Sequence, residues 1–345
     1  GDWSSDVCSS DLNSFAQTCS HNFSFQDTLR GSITAERAWW DLRHYKLSIE
    51  VFPESKSIIG SNKITYKVIA SDSVMQIDLQ QPLTIEKVIQ NEQKLNFKRN
   101  GNAYFIQLIE KQEIGKENTI TIHYTGTPTE AKNAPWDGGF TWTKDNNGID
   151  FIATSCQGIG ASIWWPCKDH MYDEPENGMT IIASVPNGLV AIANGRLINE
   201  KPERNSTTFT WEVKNPINNY GVNLNIGDYQ NFTEQYDGLK GKLDMSYWVL
   251  SYNLEKAKEH FKEAPRTIEA FEHWMGPYPF YEDSYKLVET PYLGMEHQSS
   301  VTYGNGFQNG YLGKERSQTG WGNKFDFIII HETGHEWFEI GRAHV

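Results

Sequence analysis

The sequence predicts a mainly β domain, antiparallel and of sandwich or saddle type, followed by the opening of an α/β domain. Three observations carry this. From Trp40 to about Phe232, short segments alternate apolar and polar residues, the period of a half-buried strand. Turn residues recur between those segments. After Gly238 the texture changes, and apolar residues recur at helical spacing.

Taken in order, Lys46 to Val51, Lys63 to Val68, Thr119 to Tyr124 and Thr208 to Val213 are assigned strands. Asn100-Gly101-Asn102, Pro186-Asn187-Gly188 and Asn194-Gly195 are assigned turns, because Asn and Gly tolerate the backbone that tight reversals need. Together these place an antiparallel β-domain over 37–232. Asn253 is placed as the cap of a helix carrying Ala257, Phe261 and Ala264. Pro265 opens a second apolar set, Ile268, Phe271, Trp274 and Met275, which Gly276-Pro277 stops. Tyr285 to Val288 reads as a strand, and a last helix is expected from about Lys324. The second unit is thus placed over 233–338.

Composition narrows the class. The 345 residues suit about two domains. A formal net charge of −13 argues against nucleic acid or an anionic membrane as the main partner. No apolar run reaches the ~18 residues that a spanning helix requires. Apart from Cys8, three cysteines remain, Cys19, Cys156 and Cys167, too sparse for a disulfide framework. Cys156 and Cys167 either pair or are both core thiols, the reading favoured here, and they are not read as zinc ligands, since neither has C-x-x-C spacing. Asn22, Asn205 and Asn231 begin glycosylation sequons, which are silent in a bacterial host.

The two ends stand apart. Gly1 to Leu12 and Glu339 to Val345 continue no neighbouring pattern. TGCTCTTCCGATCT can encode the end of the first, and it is the reverse complement of AGATCGGAAGAGCA, which can encode part of the second. Both resemble short-read sequencing adapters, so 1–12 and 339–345 are set aside, and no tertiary packing is expected to explain them. Residues 13–36 read as a leader or extended segment. Ser14 and Ala16 have the small-x-small spacing of a signal-peptidase site, which favours export over a cytoplasmic location.

The chemistry lies in His331-Glu332-Thr333-Gly334-His335-Glu336-Trp337-Phe338, after the apolar run Phe325 to Ile330. Residues four apart share one face of a helix, so His331 and His335 aim two imidazoles at one point, which suits Zn²⁺. Glu332 projects beside them as a general base for an attacking water. Metzincins place a Gly and then a third His after the second His. Phe338 and Gly341 stand there, so that pattern fails.

A second element decides among zinc peptidases. Leu293-Gly294-Met295-Glu296-His297 resembles the G-x-M-E-N motif of aminopeptidase N-like enzymes, and HETGHEWF resembles their H-E-x-x-H-x-W-F. From about Arg37 to Phe338 the chain is similar to the gluzincin family containing aminopeptidase N and leukotriene hydrolase. The resemblance implies a β-saddle domain before a thermolysin-like zinc peptidase domain. It implies one Zn²⁺ on His331 and His335, with a third ligand, Glu, beyond Val345, as is the Tyr that steadies the oxyanion. Glu332 is then the catalytic base, and Glu296 the anchor for the substrate's free α-amino group. Gly294 and Met295 line the substrate like an added strand. Gln157, in the stretch from Ser155 to Asp169, stands where the family sets a Gln or Glu against the amine. Glu336 has no assigned role and is expected to face solvent or to accept a hydrogen bond behind the ligands.

Two departures stand out. Leu293 replaces the usual Gly, and His297 replaces the usual Asn. His297 is expected to reach a substrate carbonyl and to change charge near neutral pH. The implied function is a zinc aminopeptidase acting on peptide or protein N-termini. The rivals are a leukotriene-hydrolase-like bifunctional enzyme, a zinc endopeptidase, and a non-enzymatic β-rich binding module with a vestigial zinc helix. Glu296 argues against the endopeptidase, and intact His331, Glu332 and His335 argue against decay. As given, the chain is expected to be an inactive fragment that binds zinc weakly, since two His ligands leave the site under-coordinated.

Overall fold

The computed structural model describes residues 24–338. The adapter-like ends, the leader-like residues before Ser24, and Cys8, Cys19 and Asn22 lie outside the described residues.

The alternating segments build a ten-stranded sheet. Strand Trp40–Phe52 lies within it, antiparallel to Ser57–Val68 and parallel to Met179–Pro186. Tyr45, Leu47, Ile49 and Val51 point to the core and their neighbours point out, as the period requires. A register shift between Leu42 and His44 resets the phase, so Leu42 and Tyr45 are both buried although three apart. All four strands expected from alternation lie inside observed strands. The expected turns are also found. Gly195 has φ +74, and a Cβ there would lie 2.0 Å from the Glu212 carbonyl oxygen, so only glycine fits.

A four-stranded sheet, Val190–Ala193, Leu224–Gly227, Asp150–Ser155 and Gly139–Lys144, shares the core with the larger one. Trp40, Trp164, Trp165 and Trp211 are fully buried. Cys156 and Cys167 are free, buried core thiols, and burial pushes both well above the ordinary thiol range.

The second unit holds a five-stranded sheet, in the order Tyr229–Gly238, Gly241–Leu250, Tyr285–Glu289, Val301–Tyr303, Gly294–Met295. The expected division at 232/233 falls within the first of these strands. Helices Leu254–His260, Glu263–Met275 and Phe327–Gly334 pack on it around Phe261, Ile268, Tyr278, Ile328 and Ile329. Asn253 makes no side-chain cap; its Nδ2 donates to Glu289 Oε1 at 2.7 Å. The second helix begins at Glu263, with Pro265 in a first turn whose N–H groups have no intrahelical acceptor. Trp274 and Met275 at its end are exposed rather than core-facing. No helix among the described residues is long and apolar enough to cross a membrane.

Candidate active site

The motif helix starts at Phe327, later than Lys324, because Asp326 caps it. Asp326 Oδ1 accepts from the N–H groups of Ile328 (2.9 Å) and Ile329 (3.2 Å) and from Asn305 Nδ2 (2.9 Å). Oδ2 accepts from Tyr303 Oη at 2.8 Å and lies 2.8 Å from His260 Nε2. One buried carboxylate thus anchors the start of the helix to two elements distant in sequence.

The helix ends at Gly334, and His335 keeps a right-handed backbone as its C-cap. The His331 and His335 rings therefore still meet, with centroids 4.9 Å apart and planes at 85°. One ligand atom from each of His331, Glu332 and His335 lies within 4.8 Å of the others. Phe327 stacks on His331 at 5.3 Å. His335 Nδ1 lies 3.0 Å from the Phe338 carbonyl, which only accepts. Nδ1 therefore carries a proton, which leaves Nε2 as the candidate ligand atom. His331 keeps an exposed edge, but desolvation of the rest of the ring, with His335 beside it, holds it down at about 4. Two imidazoles beside a carboxylate form a donor set that fits a zinc ion.

Glu332 is buried, and burial, then repulsion from Glu296, raises its carboxyl well above the usual range. Glu296 is likewise raised by burial, offset by His335 and by a hydrogen bond from Tyr220. Gln157 Nε2 donates to Glu296 Oε1 at 3.3 Å. A buried carboxyl beside a half-buried one that repels it makes this site receptive to cations.

The structure thus gathers His331, Glu332, His335, Glu296 and Gln157. Among the described residues, Gly294–Met295 is the outermost strand of its sheet, paired only with Val301–Tyr303. That leaves one edge suited to an added strand. Gly294 is required by packing: a Cβ there would lie 2.7 Å from Ile328 Cγ2 and 2.9 Å from Glu332 Oε1.

His297 departs from expectation. Its ring is fully buried, with Nδ1 3.2 Å from Thr302 Oγ1, and burial holds it down at about 3. Burial thus favours the neutral ring over the charge change expected near neutral pH. Glu336 does not face solvent. It is buried and receives the Ser299 N–H and the Tyr278 hydroxyl. Tyr220 was not singled out from the sequence, and nothing in Asn218-Asn219-Tyr220-Gly221 signals its role. The β-domain also holds the segment after Glu296. Buried Asn194 Nδ2 donates to Gly221 O (2.8 Å) and Gln298 O (2.7 Å), and buried Asn223 Nδ2 donates to Ser300 O (3.1 Å).

A helix-borne pair of histidines with a carboxylate between them, on a β-then-α/β scaffold, defines the metallopeptidase class. The Peptidase M1 N-terminal domain matches residues 42–220, just over half the chain. The chain belongs to the M1 family of zinc metallopeptidases. Its fold is similar to that of an M1 zinc metallopeptidase from Deinococcus radiodurans, with 19% identity over 88% of this chain and 65% of that one, TM-score 0.71. A Glu-to-Ala variant from the same organism, bound to a Tyr-Ser-Ala substrate, matches at 18% identity over 90% and 67%, TM-score 0.72. A two-domain M1 zinc metallopeptidase variant bound to L-arginine matches at 18% over 88% and 65%, TM-score 0.68. At such identities the likeness is one of fold. The chain spans 65% of the length of the first of these structures. No curated protein matches the sequence.

Proposed function

We propose that the complete protein is a zinc-dependent aminopeptidase that releases N-terminal residues from peptides. The observation that carries this is the half-buried carboxylate of Glu296, held by Gln157 and Tyr220 and close enough to Glu332 to repel its charge. The relatives bound to a Tyr-Ser-Ala substrate and to L-arginine support the same reading.

His331 and His335 would hold the zinc ion, which when bound supplies Lewis acidity toward water and the scissile carbonyl. Glu332 accepts a proton from the attacking water and passes it to the leaving amine. Burial raises its proton affinity, which suits a base that must hold and then release a proton. Glu296 accepts charge-assisted hydrogen bonds from the substrate's α-ammonium. Gln157 gives an N–H to Glu296, leaving its amide oxygen as a neutral acceptor for the same ammonium. Gly294 and Met295 offer the free strand edge along which the peptide backbone lies. A substrate without a free amine would cover Glu296 without supplying a cation to it, so blocked peptides are rejected.

The third ligand, a Glu, is placed by the family resemblance beyond Val345. The 345-residue chain alone is therefore proposed to bind zinc weakly and to be inactive. Hydrolysis of free against N-acetylated peptides tests the reading in the complete enzyme. The free form should be strongly preferred, and Glu332→Gln should abolish turnover. Equal rates on both substrates, or retained turnover in that variant, would overturn it. Tight, stoichiometric zinc in the 345-residue chain would overturn the statement about that chain.

A further inference from the structure

We propose that Glu336 is a positioning residue: it ties the turn after Glu296 to the motif helix and so sets where the amine anchor stands relative to Glu332. This rests on the aminopeptidase reading above.

Glu336 occupies a variable position of H-E-x-x-H-x-W-F, so the motif assigns it nothing. In the structure it directly follows His335 and is 5% exposed. Its oxygens go to Ser299 and Tyr278, not to the two histidines. The Ser299 N–H lies 2.9 Å from Oε1 and 3.1 Å from Oε2, and Tyr278 Oη lies 2.5 Å from Oε2.

Ser299 is an unusual residue to be gripped. It is fully buried and has φ +53, a region a non-glycine residue seldom adopts without being held. It lies three residues past Glu296 in a tightly linked turn. The His297 N–H bonds to Met295 O at 3.0 Å, and the Ser300 N–H bonds to His297 O at 2.9 Å. A shift at Ser299 therefore moves Glu296. On the other side, Trp337 Nε1 donates to Gly276 O at 2.9 Å, and Trp337 meets Tyr278 edge to face at 5.6 Å. The residues just after His335 are thus fixed to the 276–278 corner, and the carboxylate carries that fixed point across to the Glu296 turn. Without it, the Ser299 N–H would be a buried donor with no acceptor, and the left-handed turn would relax.

The test compares Glu336→Ala, Glu336→Asp and Glu336→Gln in the complete, zinc-loaded enzyme, with zinc content measured for each. The readout is the ratio of kcat/KM for a free-amine peptide to that for its N-acetylated form. Glu336→Ala should lower this ratio about tenfold, chiefly through KM for the free peptide. Glu336→Asp keeps the charge but falls short of both partners, and should shift the ratio in the same direction. Glu336→Gln still offers an oxygen to Ser299 and an N–H to Tyr278, and should retain most of the preference. An unchanged ratio in both the Ala and Asp variants would overturn the proposal.

Hydrogen exchange on the 345-residue chain gives a second, substrate-independent reading. The Ser299 amide should exchange about tenfold faster in Glu336→Ala while strand Trp40–Phe52 is unaffected. Unchanged exchange at Ser299 would overturn the tie by itself. If the wild-type enzyme fails to prefer free amines, the aminopeptidase reading falls, and the exchange experiment still decides the role of Glu336.

Discussion

Gly294 lies so close to Glu332 that a Cβ on it would come within 2.9 Å of the carboxylate oxygen. The edge strand and the motif helix meet at a point where no side chain fits. Gly294→Ala should therefore push Glu332 out of place. Overpacking of this kind costs about 1–3 kcal/mol of stability. The loss in kcat should exceed what the folded fraction explains, because the displaced group is the proposed base. Thermal melts read against kcat for the zinc-loaded enzyme check this. A variant with wild-type kcat would show that the helix yields without moving Glu332.

Tyr220 comes from the β-domain and steadies Glu296, which belongs to the second unit. Tyr220→Phe removes one hydrogen bond to an ionised group, worth about 1.5–3 kcal/mol, or roughly tenfold or more in binding. KM for free-amine peptides should rise by about that factor, with a smaller change in kcat. Steady-state kinetics distinguish this from a loss of base function, which would lower kcat at constant KM.

Asp326 serves five partners with one buried carboxylate. Asp326→Ala removes the helix cap and leaves several buried donors without acceptors. The expected cost is roughly 3 kcal/mol or more, from a cap of about 1 kcal/mol and the stranded donors together. Urea unfolding of the 345-residue chain measures it, and a loss under about 1 kcal/mol would mean that water replaces those bonds.

Glu289 supplies a pH dependence of stability. It is buried, with Oε2 2.9 Å from the Leu250 N–H and Oε1 2.7 Å from Asn253 Nδ2, and burial pushes it from 4.5 up to about 7. The folded chain thus holds its proton more tightly than the unfolded chain. Below the unfolded value both states are protonated. As pH rises from 4.5 to about 7 only the unfolded state releases the proton, so stability falls, and above that range the difference levels off. The drop should be roughly 3 kcal/mol. Denaturant midpoints at acid and neutral pH for wild type and Glu289→Gln test it. A difference between the two chains that stays flat across that window would mean that Glu289 ionises normally.

Local periods explain why much of this was legible in the chain. Strict alternation in Lys46 to Val51 or Thr208 to Val213 admits one reading, because one face must be buried. The four-residue spacing of His331 and His335 likewise brings their rings together on a single helical turn, whatever packs around it. Element ends were less legible. Asn253 and Lys324 look like helix starts, yet Asn253 bonds to Glu289 and the last helix waits for Asp326, because a polar side chain takes whichever partner the tertiary fold offers.

The sequence by itself determined the pair of imidazoles, the carboxylate between them, and the acidic residue of the second motif. Only the tertiary structure decided what surrounds them. It brought Tyr220 and Gln157 across from the β-domain to Glu296, buried His297 so that its pKa is lowered, and turned Glu336 onto Ser299. The reason is physical. Helix and strand periods are properties of neighbouring residues, whereas desolvation and hydrogen-bond partnership depend on groups that meet only once the sheets have packed.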